Sequence, residues 1–131
     1  MMDASSALDR MIERTNAPVL DAKGVAEQAA LGDWILLFAG DPTGRVEVAD
    51  LAVILPEIVK GRAGELMFGV IDREAEDALA AQMGVFVKPT LVFLREGVVT
   101  GVIPRIKDWS FYEQMLNEYL PLGGSDRRAS A

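Results

Sequence analysis

The stretch from Met83 to Gly101 limits what this chain can fold into more than any other part of it. Thr90-Leu91-Val92-Phe93-Leu94 is β-branched and apolar, as a buried strand should be. Glu96-Gly97 turns the chain, with Gly97 able to take positive φ. Val98 to Ile103 then returns as an antiparallel partner. Pro89 stands just before the first of these strands. It has no N–H for a ladder, so it is tolerated at a strand start and not in its interior. X-Pro is also the common setting for a cis peptide bond. A cis bond at Lys88-Pro89 turns the chain sharply and leaves backbone groups of Val87 and Lys88 facing outward.

The remaining elements follow from periodicity. Residues 1–14 read as a short helix, with Ala4, Ala7, Leu8, Met11 and Ile12 on one face. Ala17-Pro18-Val19-Leu20 is a short edge strand, because Pro18 cannot serve a central one. Asp21-Ala22-Lys23-Gly24 breaks it, and a modest helix runs from Val25 to Ala30. Trp34-Ile35-Leu36-Leu37-Phe38 is apolar without interruption, the pattern of a central strand covered on both faces. A loop from Ala39 to Gly44 leads into a helix from about Arg45 to Lys60. Its stripe is Val48, Leu51, Ala52, Leu55, Ile58 and Val59, and Pro56 inside it is expected to kink it. Gly61-Arg62-Ala63-Gly64 closes that helix, and Leu66 to Ile71 is the next strand. Asp72 is expected to cap a helix of Glu74 to Gln82. Ser110-Phe111-Tyr112-Glu113 has the pattern of a capping box. It opens a last helix whose apolar face is Phe111, Met115, Leu116, Tyr119 and Leu120. Right-handed crossovers make the first three strands parallel, and the hairpin adds antiparallel ones. The expectation is an α/β domain over residues 1–120, with a mixed central sheet of about five strands flanked by helices. Residues 121–131 end in a small, polar segment, expected to be a disordered tail.

Gly84-Val85-Phe86-Val87-Lys88-Pro89-Thr90-Leu91-Val92-Phe93, followed by Glu96-Gly97, resembles the signature around the cis-proline of thioredoxin-like proteins. Trp34–Phe38, the helix ending Leu55-Pro56-Glu57-Ile58, and Val70-Ile71-Asp72 are similar to that family's central strand, active-site helix and next strand. The resemblance covers roughly residues 18–120 and implies a thioredoxin-like fold with one extra N-terminal helix.

The chemistry of that family is absent. The chain has no cysteine and no histidine. That excludes disulfides, thiol catalysis, imidazole acid–base chemistry and Cys or His zinc sites. Arg45-Val46-Glu47-Val48 falls where the resemblance places the Cys-x-x-Cys pair, and Leu37 where redox members bury an aspartate. Without a thiolate there is no nucleophile for dithiol exchange, so a non-catalytic protein is expected, with no cofactor and no metal. A net charge of −7 from 20 acidic and 13 basic residues argues against nucleic acid as a partner. No apolar run reaches membrane-spanning length. The N-terminus carries Asp3 and lacks a basic region before an apolar core, so a signal peptide is not expected and cytoplasm is the default.

The resemblance implies a shallow groove beside the proline loop, where thioredoxin-like proteins bind extended peptide through the residue before the proline. The candidate peptide-binding residues are Val87, Lys88 and Pro89, with Asp41, Glu47 and Asp50 as an acidic rim. The plainer alternatives are that Pro89 serves folding alone and that the three acids and Lys88 are solvated surface. Glu47 and Asp50 are in any case favoured near a helix N-terminus by its dipole.

A narrower resemblance rests on Lys88-Pro89-Thr90-Leu91-Val92-Phe93-Leu94-Arg95-Glu96-Gly97-Val98 running into Gly101-Val102-Ile103-Pro104-Arg105-Ile106-Lys107-Asp108-Trp109. This is similar to the HupG/HyaE-type hydrogenase expression and formation proteins. It implies an accessory protein in the maturation of an uptake [NiFe]-hydrogenase. The partner it implies is the small-subunit precursor with its twin-arginine signal peptide. The alternative is a redox-inactive thioredoxin-fold scaffold that binds another protein.

Overall fold

The computed structural model describes residues 4–41, 46–62 and 64–122. The elements are α1 (Ala4–Thr15), β1 (Val19–Leu20), α2 (Ala22–Gln28), β2 (Asp33–Phe38), α3 (Val46–Lys60), β3 (Leu66–Ile71), a 3-10 turn (Arg73–Ala75), α4 (Glu76–Met83), β4 (Thr90–Arg95), β5 (Val98–Pro104) and α5 (Trp109–Tyr119). The strands form one mixed sheet in the order β1-β3-β2-β4-β5. β3 runs parallel to β1 and β2, and β4 antiparallel to β2 and β5.

The uninterrupted apolar run of β2 is explained by its central place. Side chains alternate across a strand, so Ile35 and Leu37 enter one core while Trp34, Leu36 and Phe38 enter the other. The first core is closed by α1, α3 and α5 through Leu8, Met11, Val48, Leu51, Leu55, Tyr112 and Leu116. The second is closed by α4 through Leu79 and Ala80, and by α2 through Val25 and the helix's C-cap Ala29. The extra N-terminal helix packs on α3, and its expected residues 1–3 lie outside the described residues. So do residues 42–45 ahead of α3 and the terminal segment 123–131. α3 continues without a break through Pro56. The hairpin turns at Glu96 and Gly97, with φ of 52° and 79°.

Three local expectations are corrected, each by a hydrogen bond. Asp21 ends β1 as expected and also caps α2, its Oδ1 accepting from the Gly24 N–H at 2.8 Å. The helix therefore begins at Ala22 rather than Val25. Asp72 precedes the 3-10 turn without a side-chain bond to it; its carbonyl accepts from Ala75 N–H at 2.9 Å. The cap of α5 is Asp108, not Ser110: Asp108 Oδ1 accepts from Phe111 N–H and from the Ser110 hydroxyl, both at 3.0 Å. An aspartate placed two residues earlier satisfies the orphan Phe111 N–H with a charged acceptor and starts the helix two residues sooner. That leaves Tyr112 inside the helix and completely buried.

The end of the sheet far from Pro89 is held by two arginines. Arg95 pairs through two hydrogen bonds with Asp33, both 2.8 Å, and donates to Pro121 O at 2.8 Å. Buried Arg62 donates to Leu120 O and, at 3.1 Å, to Asn117 Oδ1. Burial lowers the Arg62 pKa from its ordinary value, while the hydrogen bond to Asp33 raises that of Arg95.

Candidate functional site at the cis-proline loop

The Lys88-Pro89 bond is cis. The loop around it is fastened from within and behind. The Thr90 hydroxyl donates to Val87 O at 2.7 Å, and Arg105 N–H donates to Pro89 O at 2.8 Å. Thr90 itself pairs with Phe38 of β2 and Pro104 of β5. Pro89 thus sits where the central strand, the hairpin and the route into α3 meet.

That route passes directly against the loop. Gly40 has a φ of 73°, and a Cβ added to it would stand 2.9 Å from Lys88 Cβ. Only glycine accommodates both the left-handed backbone and the approach.

On one side of the loop lies the first turn of α3. Glu47 holds the Arg105 guanidinium in a two-point pair, Nε to Oε2 at 3.0 Å and Nη2 to Oε1 at 2.5 Å. Its Oε2 also accepts from Ile106 N–H at 3.3 Å. Arg105, itself at a φ of 65°, therefore bridges Pro89 and α3. Asp50 is exposed three residues further along α3. On the other side, Asp41 is exposed and lies 3.8 Å from Arg73 Nη1. Lys88 is not left to solvent: its Nζ donates to Asp77 Oδ1 at 3.0 Å and lies 3.5 Å from Glu76 Oε1. Of the six candidate residues, Val87, Lys88 and Pro89 form the loop. Glu47 joins them through Arg105, and Asp41 through the chain of Arg73 and Glu76.

Glu76 is the residue sequence reasoning missed. It reads as one of several solvated acids at the start of α4, yet its side chain is 2% exposed. Its Oε2 accepts from Gly40 N–H at 2.9 Å, and its Oε1 faces Lys88 Nζ and, at 3.8 Å, Arg73 Nε. One buried carboxylate thereby ties the approach to α3, the proline loop and the start of α4. A buried charge is tolerated only when paired and hydrogen-bonded in this way, and the helix N-terminus favours it further. No local signal distinguishes Glu76 from Glu74.

The surroundings of the loop present paired charges and an exposed apolar step, Phe86 and Val87. Among the described residues no group of three or more acidic side chains is placed to hold a metal ion. Nor is any helix among them long and apolar enough to cross a membrane.

Comparison with known proteins places the geometry in context. A family model described as hydrogenase-1 expression protein HyaE matches residues 7–112. The hydrogenase expression/formation protein HupG of Rhizobium leguminosarum bv. viciae is 39% identical over 121 residues, covering 88% of this chain and 81% of the relative. The hydrogenase expression/formation protein HoxO of Cupriavidus necator is 35% identical over 118 residues, covering 88% and 73%. Among solved structures, a mutant thioredoxin from Halobacterium salinarum superposes with a TM-score of 0.64. It is 18% identical, and the match covers 79% of this chain and 88% of that one. The fold is therefore thioredoxin-like, as the cis-proline stretch implied.

Proposed function

The chain belongs to the HyaE family of hydrogenase expression proteins, and from that premise we propose that it binds the small-subunit precursor of a hydrogenase by its twin-arginine signal peptide. It acts as an accessory protein in hydrogenase expression and formation. The precursor is held in the cytoplasm until its cofactors are in place, and the protein itself performs no chemistry.

The observation that carries the reading is the pair of Glu47 and Arg105. The rim of the groove already receives a guanidinium in two-point geometry, beside the loop where an extended peptide docks in this fold. A twin-arginine motif brings two such groups, and one exchanges with Arg105 at little net cost, because a like pair replaces a like pair. Asp41, Asp50 and the overall charge of −7 steer the basic segment. Exposed pairs contribute only about 0–1 kcal/mol each. Affinity must therefore come chiefly from an extended segment along Val87, Lys88 and Pro89.

A second reading has its own support. Asp41 and Glu47 are both engaged by cations of this chain, as in a scaffold that binds another partner elsewhere. Titrating the purified protein with precursor, and with precursor lacking its signal peptide, separates the two. The proposal expects tight binding only of the first. Equal affinity for both removes the signal peptide as the target. Unchanged binding by both Glu47→Lys and Asp41→Lys removes the acidic rim.

A further inference from the structure

Phe86 is 94% exposed and its neighbour Val87 is 44% exposed. They lie on the connection from α4 to the cis bond, whose preceding residue, Val85, is buried in the second core. A single apolar residue on a surface is ordinary. Here two adjoin a groove of about 520 Å³ that is also bordered by Ala80, Ala81, Asp77 and Lys88. The surroundings are acidic. Asp77 is fully exposed, and around the start of α4 the carboxylates of Asp41, Glu74, Glu76 and Asp77 outnumber the cations of Arg73 and Lys88.

We infer that Phe86 and Val87 are an apolar anchor for the hydrophobic stretch that adjoins the arginines of an incoming peptide. The inference rests on the signal-peptide reading and adds to it the place where the apolar part goes. An apolar step framed by carboxylates matches a segment that joins cations to an apolar run, which is how signal peptides are built. An anionic segment meets Lys88 and Arg73 only where carboxylates already hold them. Continuity supplies the proximity: Phe86 and Val87 immediately precede Lys88 and the cis bond, so a peptide seated on the loop has them beside it. Exposed aromatics that enter a partner's apolar surface are the residues that dominate binding.

The test is calorimetric titration of the full chain with purified precursor, using wild type, Phe86→Ser and Phe86→Leu. Phe86→Ser is expected to raise Kd roughly 10- to 100-fold, the weight of one aromatic side chain buried on binding. Phe86→Leu should stay within a few-fold. The melting temperature should not move, because the ring contributes little to the folded core. Precursor whose apolar stretch carries serines in place of leucines, arginines kept, should lose affinity by a similar factor. Wild-type binding with Phe86→Ser unchanged overturns the anchor and leaves the signal-peptide reading standing. Failure of wild type to bind any precursor overturns both. Sedimentation that shows a dimer dissociated by Phe86→Ser overturns the anchor in favour of a second copy of this chain.

Discussion

Arg105 joins Pro89 to Glu47: its N–H donates to the proline carbonyl at 2.8 Å, and its guanidinium lies on the carboxylate of Glu47. The residue after β5 thus braces the cis-proline loop against α3 and occupies the Glu47 carboxylate with a guanidinium of the chain's own.

Arg105→Gln keeps the backbone bond and empties that position. The Arg105 side chain is 49% exposed and that of Glu47 23%, so the expected loss of stability is small, about 1 kcal/mol or less. Affinity for a precursor with its twin-arginine motif should rise several-fold, and should fall more steeply with salt than in wild type. Thermal melting and titration at two ionic strengths check both.

Gly40→Ala should cost about 2–3 kcal/mol. The left-handed backbone accounts for about 1 kcal/mol, and the rest comes from forcing Lys88 away from a Cβ 2.9 Å distant. Gly84→Ala has the first cost without the second, since φ is 77° and nothing lies within 4 Å of its Cβ. Chemical denaturation of the two variants should differ by the contact alone.

Glu76→Ala should be the most damaging acidic substitution. It leaves Gly40 N–H and Lys88 Nζ without their buried acceptor, a loss of about 2–4 kcal/mol. Glu76→Gln retains an acceptor for Gly40 N–H and should recover about half of that. Because Glu76 orders the loop, Glu76→Gln should also weaken precursor binding, whereas Glu74→Gln should change neither quantity. Urea denaturation and precursor titration of the three variants check this.

Tyr112 makes stability depend on alkaline pH. Burial raises its pKa above the ordinary 10.0, opposed in part by the hydrogen bond its oxygen accepts from Lys107 N–H. Below pH 10 both folded and unfolded chains keep the proton, and the full contribution is present. Above it the unfolded chain releases the proton first, so stability falls as pH rises until the folded phenol also ionises. Urea midpoints between pH 8 and 11 should show this decline, and Tyr112→Phe should flatten it. The same variant should cost about 1 kcal/mol at pH 8, for the acceptor that Lys107 N–H loses.

The order of elements, the central place of β2, the cis bond at Lys88-Pro89 and the absence of thiol or imidazole chemistry were all legible in the residues. Helical stripes and strand alternation repeat within a few residues and are set by backbone geometry, so a local reading recovers them. The exact caps were not: Asp21 and Asp108 compete with neighbours of similar chemistry, and a shift of two residues decides which oxygen reaches the orphan N–H. The charges at the groove were less legible still. Glu47 meets Arg105 across 58 residues and Glu76 meets Gly40 across 36. No local pattern separates these acids from Glu74 or Asp50. Only the closing of the sheet brings the distant partners within bonding distance, and that alone makes one carboxylate a buried tie, another a guanidinium seat and the rest solvated surface.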